Sequence, residues 1–134
     1  MAMTRLRSPQ MRSPLSRAMG LGSAKEGVEH WWRQRVTAVA LVPLTLWFVI
    51  AVIDHVGADR AAFIDWVRQP MPAMLLILLI VATFYHAALG LQVVIEDYIH
   101  GEAMRLTVLV AMRLLCVVFV VRGILAVLQL ALGA

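Results

Sequence analysis

Three uninterrupted apolar runs, Val36 to Ile53, Met71 to Ile95 and Val108 to Leu132, fix what this chain can become. A hydrocarbon core of about 30 Å is crossed by on the order of 20 apolar residues wound as a helix, and each run reaches that length. Inside lipid every backbone N–H and C=O must be satisfied by the segment itself or by a closed barrel. A barrel would show short alternating segments, and these runs do not alternate. The chain therefore reads as an all-α membrane protein with three transmembrane helices. Its 134 residues are 62% hydrophobic, well above the roughly 45–50% of soluble domains.

Charge orients the spans. Of the 12 basic residues, Arg5, Arg7, Arg12, Arg17, Lys25, Arg33 and Arg35 precede the first run, while the loop after it holds Arg60 and Arg68. The positive-inside rule then places the N-terminus in the cytoplasm, or in the matrix of a mitochondrion, and the C-terminus opposite. The net charge of +4 comes largely from this arm, so it speaks for anionic lipid and against nucleic acid as a partner. Residues 1–26 form an Arg- and Ser-rich cytoplasmic arm and residues 27–134 a three-helix membrane domain. Cys116 is the single cysteine, which excludes an internal disulfide, an iron–sulfur cluster held by this chain alone and a C-x-x-C-H haem attachment. Gly20-Leu-Gly22-Ser-Ala-Lys25 begins like a dinucleotide fingerprint, but Lys25 stands where the third glycine belongs and no strand precedes it.

Local signals place the remaining elements. Glu29-His-Trp-Trp-Arg-Gln-Arg35 joins paired indoles to cations where the first helix meets the headgroup layer, and Pro43 should bend that helix. Asp54 to Gln69 is a polar connection with room for a short surface helix. Pro70 and Pro72 suit the opening turn of the second span, and Gly101 suits the cap that ends it near His100. So short a connection packs the second and third spans antiparallel.

His86 lies about halfway along the second run. An ionisable side chain at that depth is costly unless something binds it, which makes it a functional-site candidate. Ala82, His86, Gly90, Val93 and Asp97 fall within about 80° of one another on a helix. Small residues one turn above and below leave a flat slot that suits a porphyrin with the imidazole on its iron. The same residues equally suit close helix packing with the histidine hydrogen-bonded to a neighbour. His30 and His100 lie at one membrane edge and His55 at the other, so a second axial ligand must come from another chain, either a second copy or a different subunit. Asp97 and Tyr98 stand about 16–18 Å further along the helix, at the cytoplasmic interface. A phenol there can donate to a quinone carbonyl beside a carboxylate that tunes or relays a proton, or it can be a plain interfacial tyrosine. Arg35 can reach a haem propionate or snorkel to lipid phosphate. Arg122, near the middle of the third span, should face a partner, a propionate or water, and Arg113 can snorkel.

The stretch Tyr85-His-Ala-Ala-Leu-Gly-Leu-Gln-Val-Val-Ile-Glu-Asp-Tyr98 resembles the hydrophobic membrane-anchor D subunit of succinate dehydrogenase (complex II). There a histidine is followed by glycine four positions on and by an Asp-Tyr pair at eleven and twelve, as with His86, Gly90, Asp97 and Tyr98. Glu29 to Ala38 and Ala103-Met-Arg-Leu106 are similar to the family's approaches to its first and third helices, so the likeness covers about residues 20 to 134. The resemblance implies that His86 is an axial ligand of haem b shared with a second anchor, the C subunit. It implies Arg35 near a propionate and Gly90 in the pocket, with Tyr98 on ubiquinone, taken as substrate, and Asp97 in support. It further implies half of a heterodimeric helix bundle in a bacterial inner membrane, docking an iron–sulfur subunit and a flavoprotein subunit, with no catalytic residue and no turnover of its own. Arg122 and the arm before Gly20 have no counterpart in that pattern. Two other classes stay open: a small oligomeric carrier that uses His86 and Arg122 as intramembrane charges, and a cofactor-free scaffold.

Overall fold

The computed structural model describes residues 24–133, with side chains from Gly27 onward. The Arg-rich arm and the start of the Gly20–Lys25 stretch lie outside the described residues. The described chain is entirely helical: α1 (Ala24–Asp54), α2 (Arg60–Val67), α3 (Pro70–Tyr98) and α4 (Glu102–Leu132). Of these, α1, α3 and α4 are long and apolar enough to cross a membrane, and α2 is the short helix in the connection between the first two.

All three long helices outrun the apolar stretches that announce them. α1 takes in the polar segment from Ala24 to Arg35, α3 runs on through Glu96-Asp97-Tyr98, and α4 opens at Glu102. The apolar run measures lipid depth, whereas the helix continues wherever good helix formers such as Glu, Arg, Gln and Ala follow. Pro43 sits exposed within α1, and the helix continues through it to Asp54. Pro70 begins α3, where its missing N–H costs nothing because first-turn donors have no intrahelical partner.

Gly101 corrects one expectation. A glycine that ends a helix adopts positive φ, but Gly101 has φ −75° and serves as the N-cap of α4, while α3 ends on Ile99. The left-handed cap is found at Gly133 instead, with φ 73° and its N–H donating to the Gln129 carbonyl.

α3 is the central element. α1 packs on one side of it and α4 on another, while α1 and α4 make no close backbone approach to each other among the described residues. α3 and α4 approach closely at Gly123, where an added Cβ would stand 3.0 Å from Ile80 Cγ2 and 3.2 Å from its Cδ1. In lipid, helices associate through such close packing because tails are as apolar as the side chains they would replace. One turn away, Phe84 and Phe119 stack with centroids 5.6 Å apart.

At the far end from Tyr98, α2 folds back over the bundle. Asp59 caps it by accepting from Ala62 N–H at 2.8 Å. This lets Trp66 reach Trp47, His55 and Phe63, with ring centroids 6.1, 4.6 and 5.7 Å away. Val67 beside it is 1% exposed, the most buried side chain described. Elsewhere, large apolar side chains on α1, α3 and α4 remain open, as expected of surfaces covered by lipid or by another subunit.

Candidate functional site

α3 carries His86 at mid-helix, and the first contacts of its imidazole come from α1. His86 Nδ1 lies 2.9 Å from Thr37 Oγ1, and Nε2 lies 3.3 Å from Gln34 Nε2. Gln34 and Thr37 are three residues apart, so they share one face of α1, and that face meets α3. The ring is half-buried. Gly90, one turn along α3, makes room for the Gln34 amide, which would lie 3.6 Å from a Cβ built there. The small residues beside His86 therefore open onto α1 as well as along α3.

Two buried polar atoms nearby have no hydrogen-bond partner among the described residues: Gln34 Oε1 and His30 Nε2. His30 sits one turn before Gln34 on α1. An orphaned acceptor in an apolar bundle is costly, so the region is polar beyond what the chain itself satisfies.

A cleft of about 730 Å³ opens between α1 and α4 with α3 as its floor. Its walls are apolar at Phe84, Val117 and Val121 and polar at His30, Arg33 and Arg113. Arg113 donates to Gln92 Oε1 at 2.9 Å, and Gln92 donates to Glu96 Oε1 at 2.8 Å. This chain ties a cation of α4 into α3 and leads toward the Tyr98 end. Arg113 thus has a partner within the bundle where snorkelling was the simplest expectation.

The other sequence-selected residues are spread along α3 and α1. α3 is continuous from His86 to Tyr98, so Asp97 and Tyr98 stand about 16–18 Å along the axis from the imidazole. Both are exposed, Tyr98 at 80%, on the last turn of the helix. Arg35 projects from α1 with its guanidinium 5.4 Å from the centre of the Trp31 ring, a cation–π contact, and Trp31 stacks on Trp32. Arg33 pairs with Glu29 one turn earlier. Arg122 is exposed on α4 and makes no ion pair or hydrogen bond among the described residues. No three His, Cys, Asp or Glu side chains converge among the described residues, so His86 is not part of an all-protein metal cage.

Gln34, Thr37 and the partners of Gln92, Arg113 and Glu96 escaped sequence reasoning, whereas Gln92 itself reads from the sequence as a packing or interhelical hydrogen-bond residue. One signal was present: Gln34 and Thr37 are polar residues at helical spacing on either side of the start of an apolar run, a pattern that marks a face turned toward protein.

With this geometry in view, the comparisons with known proteins are decisive. Residues 9–120 match the family model described as succinate dehydrogenase/fumarate reductase transmembrane subunit. The chain belongs to that family. It is a membrane-anchor subunit of the succinate dehydrogenase type. A succinate dehydrogenase hydrophobic membrane anchor subunit from Rickettsia bellii is 36% identical over 116 residues, covering 87% of this chain and 93% of that protein. One from Paracoccus denitrificans is 36% identical over 89 residues, covering 66% and 69%. A succinate dehydrogenase membrane anchor subunit from Reclinomonas americana is 28% identical over 97 residues, covering 69% and 80%. The matched span takes in α1, α3 and the first part of α4, and with them His86, Gln34, Thr37 and Tyr98.

Proposed function

We propose that this chain, paired with a second anchor subunit in a bacterial inner membrane, holds haem b through His86, offers Tyr98 and Asp97 to ubiquinone, and docks the iron–sulfur and flavoprotein subunits. The N-terminus of α1 and the Tyr98 end of α3 then face the cytoplasm, where the soluble subunits stand. The observation that carries the reading is His86 at mid-span: a half-buried imidazole whose Nε2 has one contact, at 3.3 Å, beside a glycine.

The residues present fit the group. A haem would ask the protein for an imidazole nitrogen, which His86 could supply without belonging to any cluster of three His, Cys, Asp or Glu side chains among the described residues. The orphaned Gln34 Oε1 marks a place where a bound group would improve the hydrogen bonding. When bound, haem supplies a one-electron site within the bilayer. His86 supplies a nitrogen donor, Gly90 leaves room beside it, and Arg35, held over Trp31 at the same end of the bundle, is a cation available to a propionate. The Tyr98 phenol donates to a quinone carbonyl at the helix end, and the Asp97 carboxylate supports proton delivery there.

The contacts of His86 to α1 favour a second reading, in which the imidazole is an interhelical tie and the subunit a cofactor-free scaffold. The intact complex, purified through a tag on this chain and reduced with dithionite, separates the two. A b-type α-band and co-purification of the three other subunits are expected. A colourless complex of full subunit composition would select the scaffold.

A further inference from the structure

The hydrogen-bond partners of Thr37 bear on which nitrogen of His86 carries the proton. Its Oγ1 lies 2.9 Å from the Arg33 carbonyl oxygen, 3.0 Å from the Gln34 carbonyl oxygen and 2.9 Å from His86 Nδ1. A hydroxyl has one proton to give, and a carbonyl oxygen can only accept. With two carbonyls in reach, the proton goes to that side, the usual back-bonding of threonine within a helix. Were it turned to the imidazole, three oxygens would crowd together with no hydrogen among them. The remaining partner must therefore donate. This network assigns the ring proton to Nδ1 and leaves Nε2 as a bare lone pair.

Gln34 obeys the same logic. Facing a lone pair, its amide must present N–H rather than oxygen, which leaves Oε1 turned away and, as observed, without a partner. At 3.3 Å this contact lies beyond the usual 2.7–3.2 Å range of an N–H donor, so it is weak and replaceable.

We propose that Thr37 is a positioning residue for His86: its hydroxyl, aimed by the α1 backbone, accepts from Nδ1–H and so presents Nε2 to a metal-bearing planar ligand, with the Gln34 amide as the group that gives way. This rests on the reading of His86 as a haem ligand. A hydrogen bond from the far nitrogen fixes the ring's tautomer and orientation and makes the near nitrogen a stronger donor. Stronger donation favours ferric over ferrous iron. Removing the acceptor therefore raises the haem midpoint potential, a change that packing alone does not produce in a fixed direction.

The test uses the intact complex with Thr37→Val, which keeps the branched shape without the hydroxyl, and Thr37→Ser, which keeps the hydroxyl. Haem content per complex, midpoint potential and the low-spin ferric paramagnetic-resonance spectrum are read together. Thr45→Val serves as control, because Thr45 back-bonds to the Leu41 and Val42 carbonyls without touching His86. Thr37→Val is expected to shift the potential upward and move the resonance lines, with Thr37→Ser and Thr45→Val at the wild-type values. If Thr37→Val fails to retain haem, Thr37→Ser decides: haem at the wild-type potential supports the hydroxyl's role, and loss of haem there overturns it. Wild-type potential and lines in Thr37→Val also overturn it. His86→Met in the same series tells the two failures apart, since an unchanged potential in that variant removes the haem ligand itself, whatever Thr37 does.

Discussion

The two ends of α3 are finished differently. Around Trp66 and Val67 the chain closes on itself: α2 is capped by its own Asp59, four aromatic rings interlock, and a valine reaches 1% exposure. From His86 to Tyr98 the bundle stays open and polar, with a half-buried imidazole, two orphaned buried atoms, a 730 Å³ cleft and a tyrosine 80% exposed. The first end stabilises the subunit. The second is left incomplete in the way of a surface that other subunits or ligands complete, and substitutions should therefore divide into those that move stability and those that move redox behaviour.

The largest stability effect is expected at the closed end. Trp66→Ala removes the ring shared by three aromatic neighbours and should cost about 3 kcal/mol, by analogy with buried aromatic truncations. Thermal unfolding of the detergent-solubilised complex would show this, with the haem spectrum of the surviving fraction unchanged. A variant that keeps its stability but loses the spectrum would break the division. Next comes Gly123→Val, which drives a side chain into Ile80 at the α3–α4 contact and should cost roughly 1–3 kcal/mol through overpacking. Pairing it with Ile80→Ala should recover part of that loss, and strict additivity of the two in unfolding measurements would argue against the contact.

Much of the fold was legible before any coordinates because it is local. Apolar length gave the three spans, Pro70 and Pro72 gave the start of α3, and the polar connection gave α2. Helix ends were less legible, since the apolar run stops at the edge of lipid while α1 and α4 continue into polar sequence. Gly101 misled because glycine is common at either helix terminus, and only its φ of −75° assigns it to the start of α4. At the site, His86 and Gly90 could be found from spacing on a single helix. Thr37 and Gln34 could not, because they lie 49 and 52 residues away and reach the imidazole only through the register of α1 on α3.

At the open end, Tyr98→Phe removes one exposed phenol and should leave assembly, stability and haem content near wild type. Quinone reductase activity should fall about tenfold, the worth of roughly 1.4 kcal/mol for one lost hydrogen bond to a quinone carbonyl. Unchanged quinone kinetics would return Tyr98 to the role of an interfacial anchor. Smallest of all, Asp59→Ala should lower stability by about 1 kcal/mol through the lost cap while leaving both the spectrum and quinone kinetics alone.

The most direct measurement is redox titration of the haem in the intact complex carrying His86→Met. A thioether in place of the imidazole would still offer the iron a ligand atom and would raise the potential of a haem held there. A clear upward shift, together with altered low-spin resonance lines, is the expected result for an iron bound by this side chain. A potential and spectrum indistinguishable from wild type would mean that the iron is held elsewhere and that His86 ties α3 to α1 and nothing more.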